Sequence, residues 1–157
     1  MAEPNPEELF DLGIKSYENQ DFSKARKYFE KACDLNNSGG CAALGDLYDN
    51  GEGVEKNSKK AAQFYSKACE LKDGRGCGAL GRLYYNNGEG VKKNLTKATQ
   101  FYSKACDLND GDGCAALGFL YGNGKGVEKD LVKASYLYSK ACKLGDQLAC
   151  EALKELR

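Results

Sequence analysis

The sequence contains no histidine and no Cys-x-x-Cys motif, and its charges cancel. The missing histidine removes a common general base and zinc ligand, which argues against a zinc site or a histidine-based active site. The 23 Lys and Arg residues balance 23 Asp and Glu residues, so no bulk charge indicates nucleic-acid binding. No apolar run reaches the roughly 18 residues that a membrane-spanning helix needs, so none is predicted.

The sequence is dominated by a repeat built around pairs of cysteines eight residues apart. The first cysteines of the pairs follow one another at steps of 36, 37 and 36 residues, and so do the second ones. Other small residues keep the same steps; they are Ala25, Ala61, Ala98 and Ala134, then Ala32, Ala68, Ala105 and Ala141, then Gly45, Gly81 and Gly118. A period of this length predicts stacked repeats in which each unit covers the apolar face of its neighbour.

Within a unit the apolar residues recur at helical spacing. In NSKKAAQFYSKACEL, apolar residues at three- and four-residue steps form one stripe that includes Ala61, Phe64 or Tyr65, Ala68 and Leu71. Asn or Asp precedes each of the predicted helices, as N-caps do; these residues are Asp21, Asn37, Asn57, Asp73, Asn94, Asp110, Asp130 and Asp146. The pattern predicts an all-α protein, a right-handed α-solenoid of stacked antiparallel helix pairs.

The motifs also resemble known families. In the first unit, six residues match tetratricopeptide repeat spacing: Leu9, Leu12, Gly13, Ala25, Phe29 and Ala32. The later connections GEGVEKN, GEGVKKN and GKGVEKD resemble the Sel1-like repeat, and the added cysteine pair resembles the Helicobacter cysteine-rich proteins. The resemblance implies a single solenoid domain over residues 1–157, with a TPR-like unit (5–37), Sel1-like units (38–73, 74–110, 111–146) and a capping helix (147–157). We expect Leu148, Ala152 and Leu156 to cover the last apolar face, and the protein to be a monomer.

The cysteine pairs are predicted to be disulfides. On one continuous helix, residues eight apart are about 12 Å distant, too far for a disulfide, so the chain must reverse between them. The intervening residues are rich in Gly, Asn and Asp, as a turn between helices requires. Metal ligation and reactive thiols are the alternatives, and neither has supporting residues. The predicted bonds are Cys33–Cys41, Cys69–Cys77, Cys106–Cys114 and Cys142–Cys150. They predict an oxidising, secreted or periplasmic location.

That location requires a secretion signal, yet the first residues, MAEPNPEELF, lack its basic and apolar regions. We therefore expect that a signal was removed or replaced.

A column of asparagines marks a predicted peptide-binding groove. Asn50, Asn86 and Asn123 each lie five residues after the unit's glycine, at the end of a first helix, and first helices line the concave side of such solenoids. Each amide can both donate to and accept from the backbone of an extended peptide. The alternative is that these residues end the helix in left-handed geometry. Neighbouring positions vary between units and are predicted to select the ligand: Asp46, Arg82, Phe119 and Tyr85.

Three functions compete. The first is a binding module that holds an extended peptide or a partner's tail, with no cofactor or metal. The second follows from the family resemblance, which is associated with penicillin binding and slow β-lactam hydrolysis. No Ser-x-x-Lys motif supports it, and the serines followed directly by lysine are predicted to lie on helices. The third is a consensus or designed scaffold without a natural ligand, since the units are so alike.

Overall fold

The computed structural model describes residues 4–156, and this part of the chain is all helical. Each helix packs against the next along the chain, and alternate helices also contact one another. The result is a right-handed α-solenoid of antiparallel helix pairs. The helices are α1 (Pro6–Glu18), α2 (Phe22–Asp34), α3 (Ser38–Asn50), α4 (Ser58–Glu70), α5 (Gly74–Tyr85), α6 (Leu95–Asp107), α7 (Gly111–Asn123), α8 (Leu131–Lys143) and α9 (Gln147–Glu155).

The predicted N-caps are confirmed. At the start of every helix from α2 to α9, an Asn or Asp side chain accepts a hydrogen bond from a backbone N–H three residues later. Such caps satisfy one of the amide groups that a helix start leaves without a partner. The sequence therefore specifies where each helix begins through a local signal that needs no tertiary contact.

The cysteines pair as predicted, one disulfide per unit. Each bond joins the last turn of a second helix to the first turn of the next first helix, with Cα atoms 4.5–4.7 Å apart. At Cys33–Cys41 the chain reverses through Asn36, whose φ is 65°. The amides of Asn36 and Asn37 donate to the carbonyls of Cys33 and Ala32, which closes the end of α2. All eight cysteines are used in this way, so neither the metal-ligand nor the reactive-thiol alternative stands.

Glycines set how closely the two helices of a unit approach. A Cβ atom at Gly81 would lie 2.8 Å from the ring of Tyr102, and one at Gly45 would lie 2.7 Å from the ring of Tyr65. Tyr65 is fully buried at this crossing, whereas Phe64 is half-buried. The sequence predicts either Phe64 or Tyr65 on the buried stripe, and the structure places Tyr65 there.

The C-terminal end differs from the prediction. Leu148 was expected to cover the last apolar face, but 77% of it is exposed, and Ala149 is the buried residue of α9 instead. Ala149 occupies the position of Gly40, Gly76 and Gly113, where each unit packs against the preceding second helix. The predicted α9 segment extends to Arg157, which lies outside the described residues. The expectation of a capped end therefore fails at Leu148.

Lys72 offers a stability test at one of these turns. It adopts a φ of 71°, at the position where the last unit has Gly145. An L side chain is strained in left-handed geometry and glycine is not. We expect Lys72→Gly to stabilise the protein by about 0.5–1 kcal/mol in urea unfolding and Gly145→Lys to destabilise it by a similar amount. Equal stability of Lys72→Gly and the parent would contradict this account of the turn.

Candidate functional site

The first helices of neighbouring units line a cavity of about 460 Å³ on one side of α5, which we call the first-helix groove. Its α5 wall consists of Arg75, Gly78, Ala79 and Arg82, which share one helix face. Residues of α3 and α7 flank this wall on its two sides. The flanking polar residues are Asp46, Asp110 and Asp112. The groove therefore brings together charged side chains of three successive units.

Two ion pairs join α3 to α5 along this groove. Arg75 donates to Asp46 over 2.6 Å, and Arg82 donates to Asp49 over 2.6 Å. The hydroxyl of Tyr65 donates to the other carboxylate oxygen of Asp46, also over 2.6 Å. Ion pairs as exposed as these add little to stability, but they hold the guanidinium groups in place. The α3–α5 part of the groove is thus electrostatically satisfied within the protein.

The corresponding place between α5 and α7 is aromatic. When the repeats are aligned, Phe119 of α7 matches Arg82 of α5, and Tyr85 of α5 matches Asp49 of α3. The residue of α7 that matches Tyr85 is Gly122. The ammonium of Lys125 lies 6.0 Å from the Tyr85 ring centroid and 5.3 Å from that of Phe119. Phe119 is 41% exposed, so part of its ring is open to solvent beside Tyr85. We call Tyr85, Phe119 and Lys125 the aromatic subsite.

The asparagine column lies at the ends of the first helices, outside the residues that line the cavity. All three side chains are exposed. Asn123 donates from Nδ2 to the carbonyl of Phe119, over 2.9 Å. The left-handed alternative is wrong: Asn86 is extended, and Gly51 and Gly124 adopt the positive φ directly after Asn50 and Asn123. Glycine takes that conformation at lower cost, so the asparagines stay helical or extended.

Sequence reasoning missed Arg75, Asp110 and Asp112 as groove residues. A usable signal was present, because Arg75 lies seven residues before Arg82 and Asp112 seven before Phe119. Two helical turns separate each pair, which places both members on one face. Of the residues predicted from the sequence, Asp46 and Arg82 line the cavity, while Tyr85 and Phe119 form the aromatic subsite beside it.

Two tyrosines beneath the groove have shifted pKa values. Burial, followed by the hydrogen bond to Asp46, raises the pKa of Tyr65 well above its ordinary value. Burial also raises the pKa of Tyr102 to about 12. Burial raises the pKa of the Asp110 carboxyl, although the Gly113 amide that donates to it favours the charged form. The floor of the groove thus favours neutral phenols and its wall carries the charges.

These shifts predict a loss of stability at alkaline pH. Unfolded tyrosines ionise near pH 10, whereas Tyr102 keeps its proton to about pH 12. Its contribution is complete below pH 10 and disappears as pH rises from 10 to about 12, because the unfolded state then releases the proton first. Urea midpoints measured across this range should fall less steeply for Tyr102→Phe than for the parent. Tyr136→Phe, at an exposed position, serves as the control; identical slopes for all three proteins would refute the prediction.

The fold and the groove define a class: an all-helical repeat protein with an extended, side-chain-rich groove, an architecture typical of protein–protein interaction. The chain belongs to the Sel1 repeat family, whose repeat matches residues 38–73, 75–110 and 111–146. The tetratricopeptide repeat matches residues 6–38. No helix within residues 4–156 is both long and apolar enough to cross a membrane.

Relatives include proteins of Helicobacter pylori. The putative beta-lactamase HcpC and the beta-lactamase HcpA of strain J99 are 63% and 55% identical to this chain over 59 residues, 38% of its length. The matched segments span only 20% and 24% of those relatives' own lengths. The Helicobacter pylori cysteine-rich protein B structure is 48% identical, with a TM-score of 0.69, over 85% of this chain and 95% of that chain. A Sel1 repeat protein from Oxalobacter formigenes is 30% identical, with a TM-score of 0.85, over 96% of this chain and 63% of that one.

Proposed function

We propose that the protein is a binding module that holds an extended segment of a partner protein in the first-helix groove. The aromatic subsite is the observation that carries this proposal. The equivalent place between α3 and α5 holds the Arg82–Asp49 ion pair, whereas between α5 and α7 it exposes an apolar ring. An exposed ring on a polar face gains free energy when an apolar side chain covers it.

The geometry suggests which segment would bind. An apolar or aromatic ligand side chain would rest on the rings of Phe119 and Tyr85, which share the ammonium of Lys125. Lys125 would face a carboxylate of the ligand. The exposed amides of Asn50, Asn86 and Asn123 would pair with the ligand backbone at the edge of the groove. The preferred sequence is therefore an extended peptide with an aromatic residue next to an acidic one.

The disulfides support this use of the groove. Four covalent bonds fix each second helix to the next first helix, so the groove walls are ordered before a ligand arrives. A preordered site loses less conformational entropy on binding. Disulfides persist in oxidising compartments, so the module would act outside the cytoplasm, secreted or in the periplasm.

A peptide-display experiment tests the proposal. Random 12-residue peptides are selected on the parent protein, and their affinities are then measured for Phe119→Ser, for the triple Asn50→Ala, Asn86→Ala, Asn123→Ala, and for Val132→Ser. We expect both groove variants to bind about tenfold more weakly, because they lose an apolar contact or several hydrogen bonds. Val132 is the matched control, an 82% exposed apolar residue on α8. Parent-like affinity of both groove variants would exclude the groove.

The relatives suggest a second candidate, since HcpA is named a beta-lactamase. The chain would then bind β-lactams and hydrolyse them slowly. Ser58, Ser66, Ser103 and Ser139 each precede a lysine on a helix, so the two adjacent side chains diverge around the helix axis. Incubating the pure protein with a chromogenic cephalosporin tests this alternative. Turnover that persists at constant specific activity through repurification would favour the enzyme over the binding module.

A further inference from the structure

A cavity along the second helices is strongly basic. It has a volume of about 720 Å³ and lies between α4, α6 and the connection that precedes α6. Four lysines line it, and no aspartate or glutamate is among its lining residues. We call this cavity the lysine pocket; its lysines are Lys59, Lys92, Lys93 and Lys97. Such a concentration of one charge is unexpected in a chain whose charges cancel.

The equivalent place in the next unit is neutral. There a cavity of about 490 Å³ is lined by Glu128, Lys129, Asp130 and Lys133, which align with Lys92, Lys93, Asn94 and Lys97. The first Sel1 unit also has a glutamate, Glu55, in the Lys92 column. Where the later unit has the acidic Glu128 and Asp130, the lysine pocket thus has Lys92 and the neutral Asn94. The basic character belongs to one connection and not to the repeat in general.

The four ammonium groups have no carboxylate partner within residues 4–156. The ion pairs found there join Arg26 to Glu30 and join the two groove arginines to Asp46 and Asp49. Lys97 lies 5.1 Å from the Tyr84 ring centroid and Lys93 lies 5.7 Å from that of Tyr85, contacts that orient the charges without neutralising them. Glu89, the acidic residue of the same connection, lines the adjoining cavity instead.

The N-terminal end of α6 adds to the positive potential in the lysine pocket. Its N-cap is the neutral Asn94, whose side chain accepts from the amide of Lys97. A helix N-terminus carries a partial positive charge, and Asn94 leaves it uncompensated where Asp130 compensates that of α8. Polar groups of Gln63 and Ser66 and the rings of Tyr84 and Phe101 also line the pocket. The pocket therefore combines several cations with hydrogen-bonding groups and an aromatic floor.

We propose that the lysine pocket binds a ligand that carries two or more phosphate or sulfate groups. Lysines suit such ligands because compact ammonium groups pair with tetrahedral oxyanions at several angles. The pocket lies on the other side of α5 from the first-helix groove, because Leu80 and Tyr84 face away from Arg75 and Arg82. Lys93 alone of the four lysines contacts a ring of the aromatic subsite, that of Tyr85. An anionic ligand and a peptide could then be held by one molecule at once.

Two probes distinguish the source of the anion: sodium tripolyphosphate and a size-defined, fluorescently labelled heparin hexasaccharide. Affinities are measured at 50 and 150 mM salt for the parent, Lys92→Glu and Lys129→Glu. Lys92→Glu installs the residue that both sister connections carry, so it should fold normally. Lys129→Glu makes the same charge change outside the pocket. We expect Lys92→Glu to weaken binding about tenfold and Lys129→Glu less than twofold, with both effects larger at 50 mM salt.

Binding of tripolyphosphate would identify a phosphate ligand, and binding of the hexasaccharide alone would identify a sulfated glycan; either supports the proposal. Equal weakening by Lys92→Glu and Lys129→Glu, or no binding of either probe at 50 mM salt, would overturn it. Peptide affinity in the groove should not change in Lys92→Glu. Failure of this proposal would therefore leave the groove function standing, and the reverse also holds.

Discussion

Reduction of the four disulfides should lower the thermal midpoint of the protein by roughly 20–40 °C. Each bond closes a loop of about nine residues, for which the chain-entropy estimate is about 2.6 kcal/mol. Four such bonds contribute about 10 kcal/mol, comparable with the 5–15 kcal/mol by which domains are usually stable. Calorimetry or circular dichroism with and without reductant measures the shift. A midpoint within a few degrees of that of the oxidised protein would show that helix stacking alone holds the solenoid.

Removing single bonds separates their contributions. We expect the pair Cys69→Ala, Cys77→Ala to cost about 2.6 kcal/mol in urea unfolding, because that bond joins two units inside the stack. The pair Cys142→Ala, Cys150→Ala should cost less, since its cysteines are only half-buried and it fastens the terminal helix α9. In a stacked repeat, a terminal helix can detach while the rest stays folded. Equal costs for the two pairs would indicate that the whole chain unfolds as one unit.

The parts of the fold that could be predicted from sequence rest on local, repeated signals. A capping Asn or Asp acts within its own helix turn, and a cysteine pair closes its own turn, so aligned units report both directly. The groove contacts are different because they join positions in different columns. Asp49 pairs with Arg82 and Asp46 pairs with Arg75. Which column of one unit meets which column of the next depends on how far the two units are shifted and rotated against each other. Column alignment carries no information about that rotation.

The errors have a related origin. Leu148 occupies the column of Arg75 and Asp112, both of which face the groove, so its position in the repeat indicated exposure although its side chain is apolar. The left-handed conformation that the sequence allows for the asparagines is adopted instead by the next residue, a glycine, after Asn50 and Asn123, because glycine takes that φ at lower cost. The repeat contained the answer in both cases, in the Leu148 column itself and in the column that follows the asparagines.

Gly81→Val should destabilise the protein by about 3 kcal/mol. Gly122→Ala, a substitution at another helical glycine, should stabilise it instead. The first added carbon would lie 2.8 Å from the Tyr102 ring, which is buried and cannot move away without opening the contact between α5 and α6. Gly122→Ala is the matched control, since its added Cβ meets only Ala134 at 3.6 Å, and alanine favours a helix over glycine by up to about 1 kcal/mol. Urea unfolding measures both changes, and Tyr102→Leu in the Gly81→Val background should recover part of the loss. If Gly81→Val and Gly122→Ala changed stability in the same direction, the close packing of ring on glycine would not determine the helix spacing, and the repeated glycine column would need another explanation.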